Sequence, residues 1–259
     1  MTVIASKRLI LYLGLLETQI FFSPLVYADF QDTIDHVKPS IVAVGTYKKT
    51  QSPPFIFRGT GFVIGEGNHV ATNAHVIPEP TLADGPDLAI LIRSTHGDAS
   101  IRRARIINKD AEHDLAIIYF DGPALSALTV GDSSLVREGQ SIAFTGFPIG
   151  GALGFSPVTH RGIVSSITPI VLPMGNVNQL NEKAIQRIKK GSFNIYQLDA
   201  TAYPGNSGSP IYDPNTGVVV GVINMVFIKG TRESALSQPT GISYAIPINF
   251  LTEMLKSSR

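Results

Sequence analysis

The feature that most constrains this chain is a succession of short β-branched runs from Ser40 onward, each closed by residues that favour turns. The runs are Ile41 to Val44, Gly61 to Ile64, Leu88 to Ile92, Leu115 to Phe120, Ser141 to Thr145, Gly162 to Ile167, Ile195 to Leu198, Val218 to Ile223 and Ser243 to Ile246. Runs of this length bounded by turn residues are the pattern of an all-β sandwich or barrel. Turns fall where backbone freedom is needed, at Gly65-Glu66-Gly67-Asn68, His96-Gly97-Asp98 and Asp213-Pro214-Asn215-Thr216-Gly217. Antiparallel hairpins follow. No repeat of solenoid or propeller period and no low-complexity linker interrupts the pattern.

Two stretches read as helix. In Asn178 to Lys190 the residues Leu180, Ala184, Ile185 and Ile188 fall at helical spacing on a polar background. The tail from Asn249 follows a proline and is apolar at Phe250, Leu251 and Leu255, which suits a terminal helix over 249–257 packed on the last barrel. The first of these lies inside the long segment Pro169 to Gly191, a connection length usually reserved for functional loops.

At the N-terminus, Lys7 and Arg8 precede the apolar run Leu9 to Leu16, and a second apolar stretch ends at Val26-Tyr27-Ala28. This is the layout of a signal peptide, with cleavage expected after Ala28 and an exported, periplasmic or secreted product. The alternative is a retained anchor, but Glu17 and Gln19 interrupt the run below the roughly 18 apolar residues a spanning helix needs. No stable membrane span is therefore expected after cleavage. Loss of residues 1–28 removes Lys7, Arg8 and Glu17 and takes the net charge from +1 to 0. A neutral chain gives no electrostatic case for nucleic acid. The basic clusters Arg102-Arg103-Arg105 and Lys189-Lys190 read as solvated strand or helix ends. Cysteine is absent, so neither disulfides nor thiolate metal sites contribute.

The segment Tyr203-Pro204-Gly205-Asn206-Ser207-Gly208-Ser209-Pro210 lies between two β runs. A nucleophilic serine needs an open hydroxyl and backbone N–H groups that converge on the developing oxyanion. Glycine on both sides of Asn206-Ser207 permits the tight backbone this requires. Taken alone, Gly-Asn-Ser-Gly also fits an ordinary hairpin turn. An alcohol is a poor nucleophile at neutral pH and needs a base within reach. Of the six histidines, His75 ends the run Val70-Ala71-Thr72-Asn73-Ala74 in small residues, which places an imidazole at a strand end. His36 and His69 look exposed, His96 is in a turn, His113 precedes the acid and His160 adjoins Arg161. Asp114 opens the run Leu115-Ala116-Ile117-Ile118 at the edge of the core, where a carboxylate can fix the imidazole tautomer. On its own Asp114 also fits a strand-end cap, and His75 a structural histidine. Together they stand in the order His, Asp, Ser, the order found with two β-barrels. The expected architecture is thus two six-stranded antiparallel barrels, chymotrypsin-like, about 38–125 and 126–248, with the site where they meet.

The residues that carry a family resemblance run in order along 30–256. They are Gly59-Thr60-Gly61-Phe62, Ala71-Thr72-Asn73-Ala74-His75-Val76, His113-Asp114-Leu115-Ala116, Gly131-Asp132-Ser133, Gly146-Phe147-Pro148-Ile149-Gly150, Arg161-Gly162-Ile163-Val164-Ser165, Gln197-Leu198-Asp199-Ala200, Gly205-Asn206-Ser207-Gly208 and Tyr244-Ala245-Ile246-Pro247. This set resembles the protease domain of the high-temperature-requirement (HtrA or Deg) family. The resemblance implies a serine endopeptidase with His75, Asp114 and Ser207 as its triad and the N–H groups of Gly205, Asn206 and Ser207 as its oxyanion hole. It also implies no cofactor or metal, protein or peptide substrates in the bacterial envelope, and homotrimers of the kind many relatives form.

Three departures shape the expectation. Ser209 stands where the family has a second glycine, as in glutamyl endopeptidases, but no histidine follows His160 to hold a glutamate side chain. The sequence stops at Arg259, so no PDZ domain and no activation through one is expected. The segment Pro169 to Gly191 is longer than a plain hairpin where the family carries a regulatory loop. Thr201, six residues before the nucleophile, offers the first specificity pocket no carboxylate, which argues against cleavage after Lys or Arg. Tyr203, Asn224, Val226 and Phe227 complete an apolar pocket for a small or medium uncharged side chain; Val226 and Phe227 also fit plain core. Two other functions are compatible with parts of the pattern: an idle peptide binder or chaperone on the same barrels, and a metal hydrolase using His69, His75 and Asp114. The second lacks any helical His-x-x-x-His spacing.

Overall fold

The computed structural model describes residues 29–79, 85–93, 98–150, 154–170, 193–224 and 241–257. The expected signal segment, the helix over 178–190, and Val226 and Phe227 lie outside these residues.

Twelve strands close into two antiparallel barrels. The first contains β1 (Ile41–Tyr47), β2 (Phe55–Ile64), β3 (His69–Thr72), β4 (Asp87–Arg93), β5 (Ala99–Asp110) and β6 (Leu115–Phe120), hydrogen-bonded in the order β1-β2-β3-β6-β5-β4. The second contains β7 (Ser141–Gly146), β8 (Val158–Pro169), β9 (Asn194–Asp199), β10 (Pro210–Tyr212), β11 (Val219–Asn224) and β12 (Ile242–Pro247), in the order β10-β11-β12-β9-β8-β7. Helix α1 (Phe30–Val37) precedes the first barrel and α2 (Asn249–Ser257) follows the second.

Strands β1, β6 and β11 read as nearly continuous apolar runs because both of their faces are buried. On one face of the first barrel Val42, Val44, Val63, Val70, Ile90, Ala116 and Ile118 form one core cluster. The alternate residues Ile41, Ala43, Phe62, Ile64, Ala71, Leu115 and Ile117 point the other way, as period-two geometry requires. They join a larger cluster with Ala143, Phe147, Tyr212 and Val222 of the second barrel and Leu251 and Met254 of α2. The second barrel has its own cluster around Ile142, Phe144, Val164, Leu198 and Ile223. Apolar burial therefore welds the barrels together, at roughly 25 cal/mol for each Å² removed from water.

The sequence reading missed three elements. Helix α1 escaped because its apolar positions, Phe30, Ile34 and Val37, make only two turns; Val37 is nonetheless fully buried and Arg161 caps the Phe30 ring at 5.2 Å. Strand β5 escaped because its residues are mostly exposed and charged. Its basic cluster is absorbed by strand neighbours: Arg102 lies 5.4 Å over Phe120, Arg105 lies 4.5 Å over Tyr119, and Arg103 pairs with Asp87 at 2.9 Å. Strand β10 has only three residues, too few for a periodic signal.

Candidate active site at the barrel junction

His75 sits in a single 3-10 turn, Ala74–Val76, directly after β3. Asp114 is the last residue of a four-residue loop in the β5–β6 hairpin, whose flanking pair is Asp110 and Leu115. Its φ is +52°, an uncommon value for a side chain with a Cβ. That conformation lets one residue grip the His75 turn several times over. Asp114 Oδ2 lies 2.6 Å from His75 Nδ1, and Asp114 Oδ1 accepts the His75 N–H at 2.9 Å. The Asp114 carbonyl accepts from the Ala74 N–H at 3.1 Å and from Asn73 Nδ2 at 3.0 Å. Arg58 Nε completes the setting by donating to the Val76 carbonyl at 3.1 Å. With Nδ1 committed to the carboxylate, Nε2 is the ring nitrogen left for a reaction, on a side chain 34% exposed.

The second barrel reaches the same carboxylate. Asn224, at the end of β11 and fully buried, donates through Nδ2 to Asp114 Oδ2 at 2.7 Å. Sequence reasoning expects Asn224 in the pocket wall; the structure shows its amide bonded to Asp114. A polar residue closing the apolar run Val218 to Ile223 was the only available hint.

The Ser207 segment is held between the barrels. The Thr60 N–H of β2 donates to the Ser207 carbonyl at 2.8 Å, and Gly208 N–H donates to the Ile223 carbonyl at 3.0 Å. Thr60 Oγ1 donates to the Gly205 carbonyl at 2.8 Å and accepts the Phe147 N–H at 3.0 Å. Gly208 has φ +86°, and a Cβ there would come within 2.0 Å of the Thr60 carbonyl oxygen and 2.5 Å of Thr72 Oγ1. The serine segment therefore rests against the strand end from which His75 emerges.

The loop ahead of Ser207 is shaped in the same way. Gly205 has φ +106°. The Pro204 carbonyl is held by the Ile149 N–H at 2.7 Å, and the Asn206 N–H is taken by the Tyr203 carbonyl at 2.9 Å. Of the three expected oxyanion donors, Asn206 N–H is thus engaged within its own turn. The N–H groups of Gly205 and Ser207 have no acceptor among the described residues.

Of the remaining pocket residues, Thr201 and Tyr203 are half-buried. The irregular segment that carries them, just after β9, is pinned by Ser243, a fully buried residue the sequence reading passed over. Ser243 Oγ accepts the Ala202 N–H at 3.0 Å and donates to the Ala200 carbonyl at 2.7 Å. No group of three metal-ligating side chains occurs among the described residues, and none of their helices is long and apolar enough to cross a membrane.

Comparison with known proteins agrees with this architecture. A family model described as a trypsin-like peptidase domain matches residues 59–222. The chain belongs to the trypsin-like peptidase domain family. Over 191 residues, 74% of its length, it is 31% identical to a probable periplasmic serine endoprotease, DegP-like, of Pseudomonas fluorescens, and the match covers 33% of that protein. Over 201 residues, 78% of its length, it is 30% identical to a protein of the same description from Halomonas elongata, covering 35% of it. The chain spans about a third of the length of the curated relatives it matches. Among solved structures it is similar to the HtrA-type protease AlgW with tripeptide. That comparison gives a TM-score of 0.62 at 24% identity, over 88% of this chain and 63% of the other. AlgW with decapeptide gives 0.61 at 21%, over 89% and 67%. At these identities the structures establish the shared fold.

Proposed function

We propose that this chain is a serine endopeptidase of the bacterial envelope, in which Ser207 is the nucleophile, His75 the general base and Asp114 its orienting carboxylate. The observation that carries the reading is the doubly bonded His75–Asp114 pair, completed from the other barrel by Asn224. In this scheme Ser207 Oγ adds to the scissile carbonyl as its proton passes to His75 Nε2. The oxyanion of the tetrahedral intermediate accepts hydrogen bonds from the N–H groups of Gly205 and Ser207. Collapse breaks the C–N bond, and the amine leaves with the proton from His75. Water then adds to the acyl-enzyme by the same proton route and frees the acid and Ser207.

The periplasmic description of the DegP-like relatives, together with the signal-like residues 1–28, supports export. Unfolded or flexible envelope proteins are the proposed substrates, because a scissile peptide must leave its own fold to reach the partly exposed His75 at the barrel junction. The test is hydrolysis of denatured casein together with labelling by a fluorophosphonate. One label per chain is expected, and Ser207→Ala should abolish both label and hydrolysis. Full activity in Ser207→Ala ends the proposal, whereas peptide binding without turnover by the parent chain would mark an idle binder.

A further inference from the structure

A second His–Asp pair lies one residue from Asp114, and it repeats the geometry of the first. His113 Nδ1 is 2.6 Å from Asp110 Oδ2, and the His113 N–H donates to Asp110 Oδ1 at 3.1 Å. Asp110 Oδ1 also accepts the Glu112 N–H at 2.8 Å. The His113 ring stacks on Phe250 of α2, with centroids 3.9 Å apart and planes inclined by 19°, and meets the edge of Phe193, just before β9, at 4.6 Å. Phe193 and Phe250 touch each other at 5.3 Å. The imidazole is thus fixed by hydrogen bonds within the β5–β6 hairpin and by rings from the second barrel and the terminal helix. Lys109 and Glu253 are the other charged side chains beside it, at the rim of the cleft between β5 and α2.

We propose that His113 is a positioning residue for Asp114: bound to Asp110 and stacked on Phe250, it fixes the hairpin loop that holds Asp114 in its left-handed conformation against His75. The inference rests on the triad reading above. A left-handed φ is disfavoured at a residue with a Cβ and persists only where its surroundings over-determine it. Downstream, Asp114 is held by the Leu115 ladder and by its own bonds to the His75 turn. Upstream, the peptide entering it is the carbonyl side of His113, whose backbone N–H and ring are both secured by Asp110. Release of the His113 ring frees the loop to relax toward right-handed backbone and swings the carboxylate away from Nδ1. Helix α2 acts on the triad through this stack.

The test compares His113→Ala, His113→Asn and His113→Phe, with active sites counted by fluorophosphonate. Asn keeps an N–H donor near the Nδ1 position, and Phe keeps the stack but not the donor. For His113→Ala, kcat per titrated site should fall about tenfold with KM changed by less than about twofold, since a misplaced catalytic carboxylate spares ground-state binding. Asn should restore most of kcat, Phe should not, and the low-field proton resonance of His75 Nδ1 should move or broaden in the Ala and Phe variants but not in the Asn variant. Phe250→Ala should lower kcat about threefold by loosening the ring. Unchanged kcat per titrated site with an unmoved resonance would overturn the proposal, whatever happened to thermal stability. If His113→Ala does not fold, equal kcat in the Asn and Phe variants overturns it. Activity retained by Ser207→Ala would instead remove the triad reading beneath it.

Discussion

Asn224 and Asp114 belong to different barrels, yet Asn224 Nδ2 donates across 2.7 Å to Asp114 Oδ2, the oxygen that also meets His75 Nδ1. A carboxylate with 18% side-chain exposure cannot rely on water to satisfy it and depends on such partners. Replacement by a residue of similar size without the donor, Asn224→Leu, removes a charge-assisted hydrogen bond worth about 1.5–3 kcal/mol. The expected result is a drop in kcat of roughly ten- to a hundredfold with active-site labelling retained. A variant with parental kcat would mean that Asn224 serves the pocket and not the acid.

Thr60 joins the serine loop to the residue just after β7 through a single hydroxyl, which donates to the Gly205 carbonyl and accepts the Phe147 N–H. Thr60→Val is nearly isosteric and leaves both backbone groups unpaired in a buried site. A loss of about 1–3 kcal/mol in unfolding free energy is expected. Because Gly205 carries a proposed oxyanion donor, kcat should fall while KM holds. Denaturant unfolding and steady-state kinetics on one peptide check both parts.

Gly208 offers a sharper test of the packing beneath Ser207. Its φ of +86° is costly for any side chain, and a Cβ would lie 2.0 Å from the Thr60 carbonyl oxygen, which is main chain and cannot rotate aside. Gly208→Ala should therefore destabilise by about 2 kcal/mol or more and abolish fluorophosphonate labelling. Labelling at the parental rate would show that the loop can move away from β2 without disturbing the nucleophile.

What the sequence revealed and what it hid divide along physical lines. Runs such as Leu115 to Phe120 were legible because a strand buried on both faces must be apolar throughout, and that burial is local information. His75, Asp114 and Ser207 were legible as candidates because each sits in an unusual local setting. Contacts between distant segments were not legible. Nothing near Asn224 in the chain announces Asp114, 110 residues away, and nothing near Thr60 announces Gly205, 145 residues away. His113 was passed over as a neighbour of the acid because its partners, Phe193 and Phe250, meet it only after both barrels and α2 have assembled.

The dependence of stability on pH separates two further sites, a largely buried histidine and a partly buried aspartate. His160 on β8 stacks on Phe144 at 4.8 Å, and its Nε2 is buried with no partner among the described residues. Burial holds its pKa below the ordinary 6.5. The unfolded chain then binds a proton more readily than the folded one. The stability contributed by neutral His160 is present above about pH 6.5 and is lost as pH falls through the folded value. At Asp110, burial alone would raise the pKa, but the hydrogen bonds from the His113 ring and from the N–H groups of His113 and Glu112 outweigh it, and the pKa is lowered. Its contribution is present above the unfolded value of 3.8 and is lost only as pH falls below it. The melting temperature should therefore decline in two stages. His160→Phe, which keeps a ring against Phe144, should flatten the first stage, which sets in as pH falls below the unfolded value of 6.5, and leave the second in place. Melting curves taken at intervals of pH decide the matter, and a variant that declines in parallel with the parent through the first stage would show that His160 is not its source.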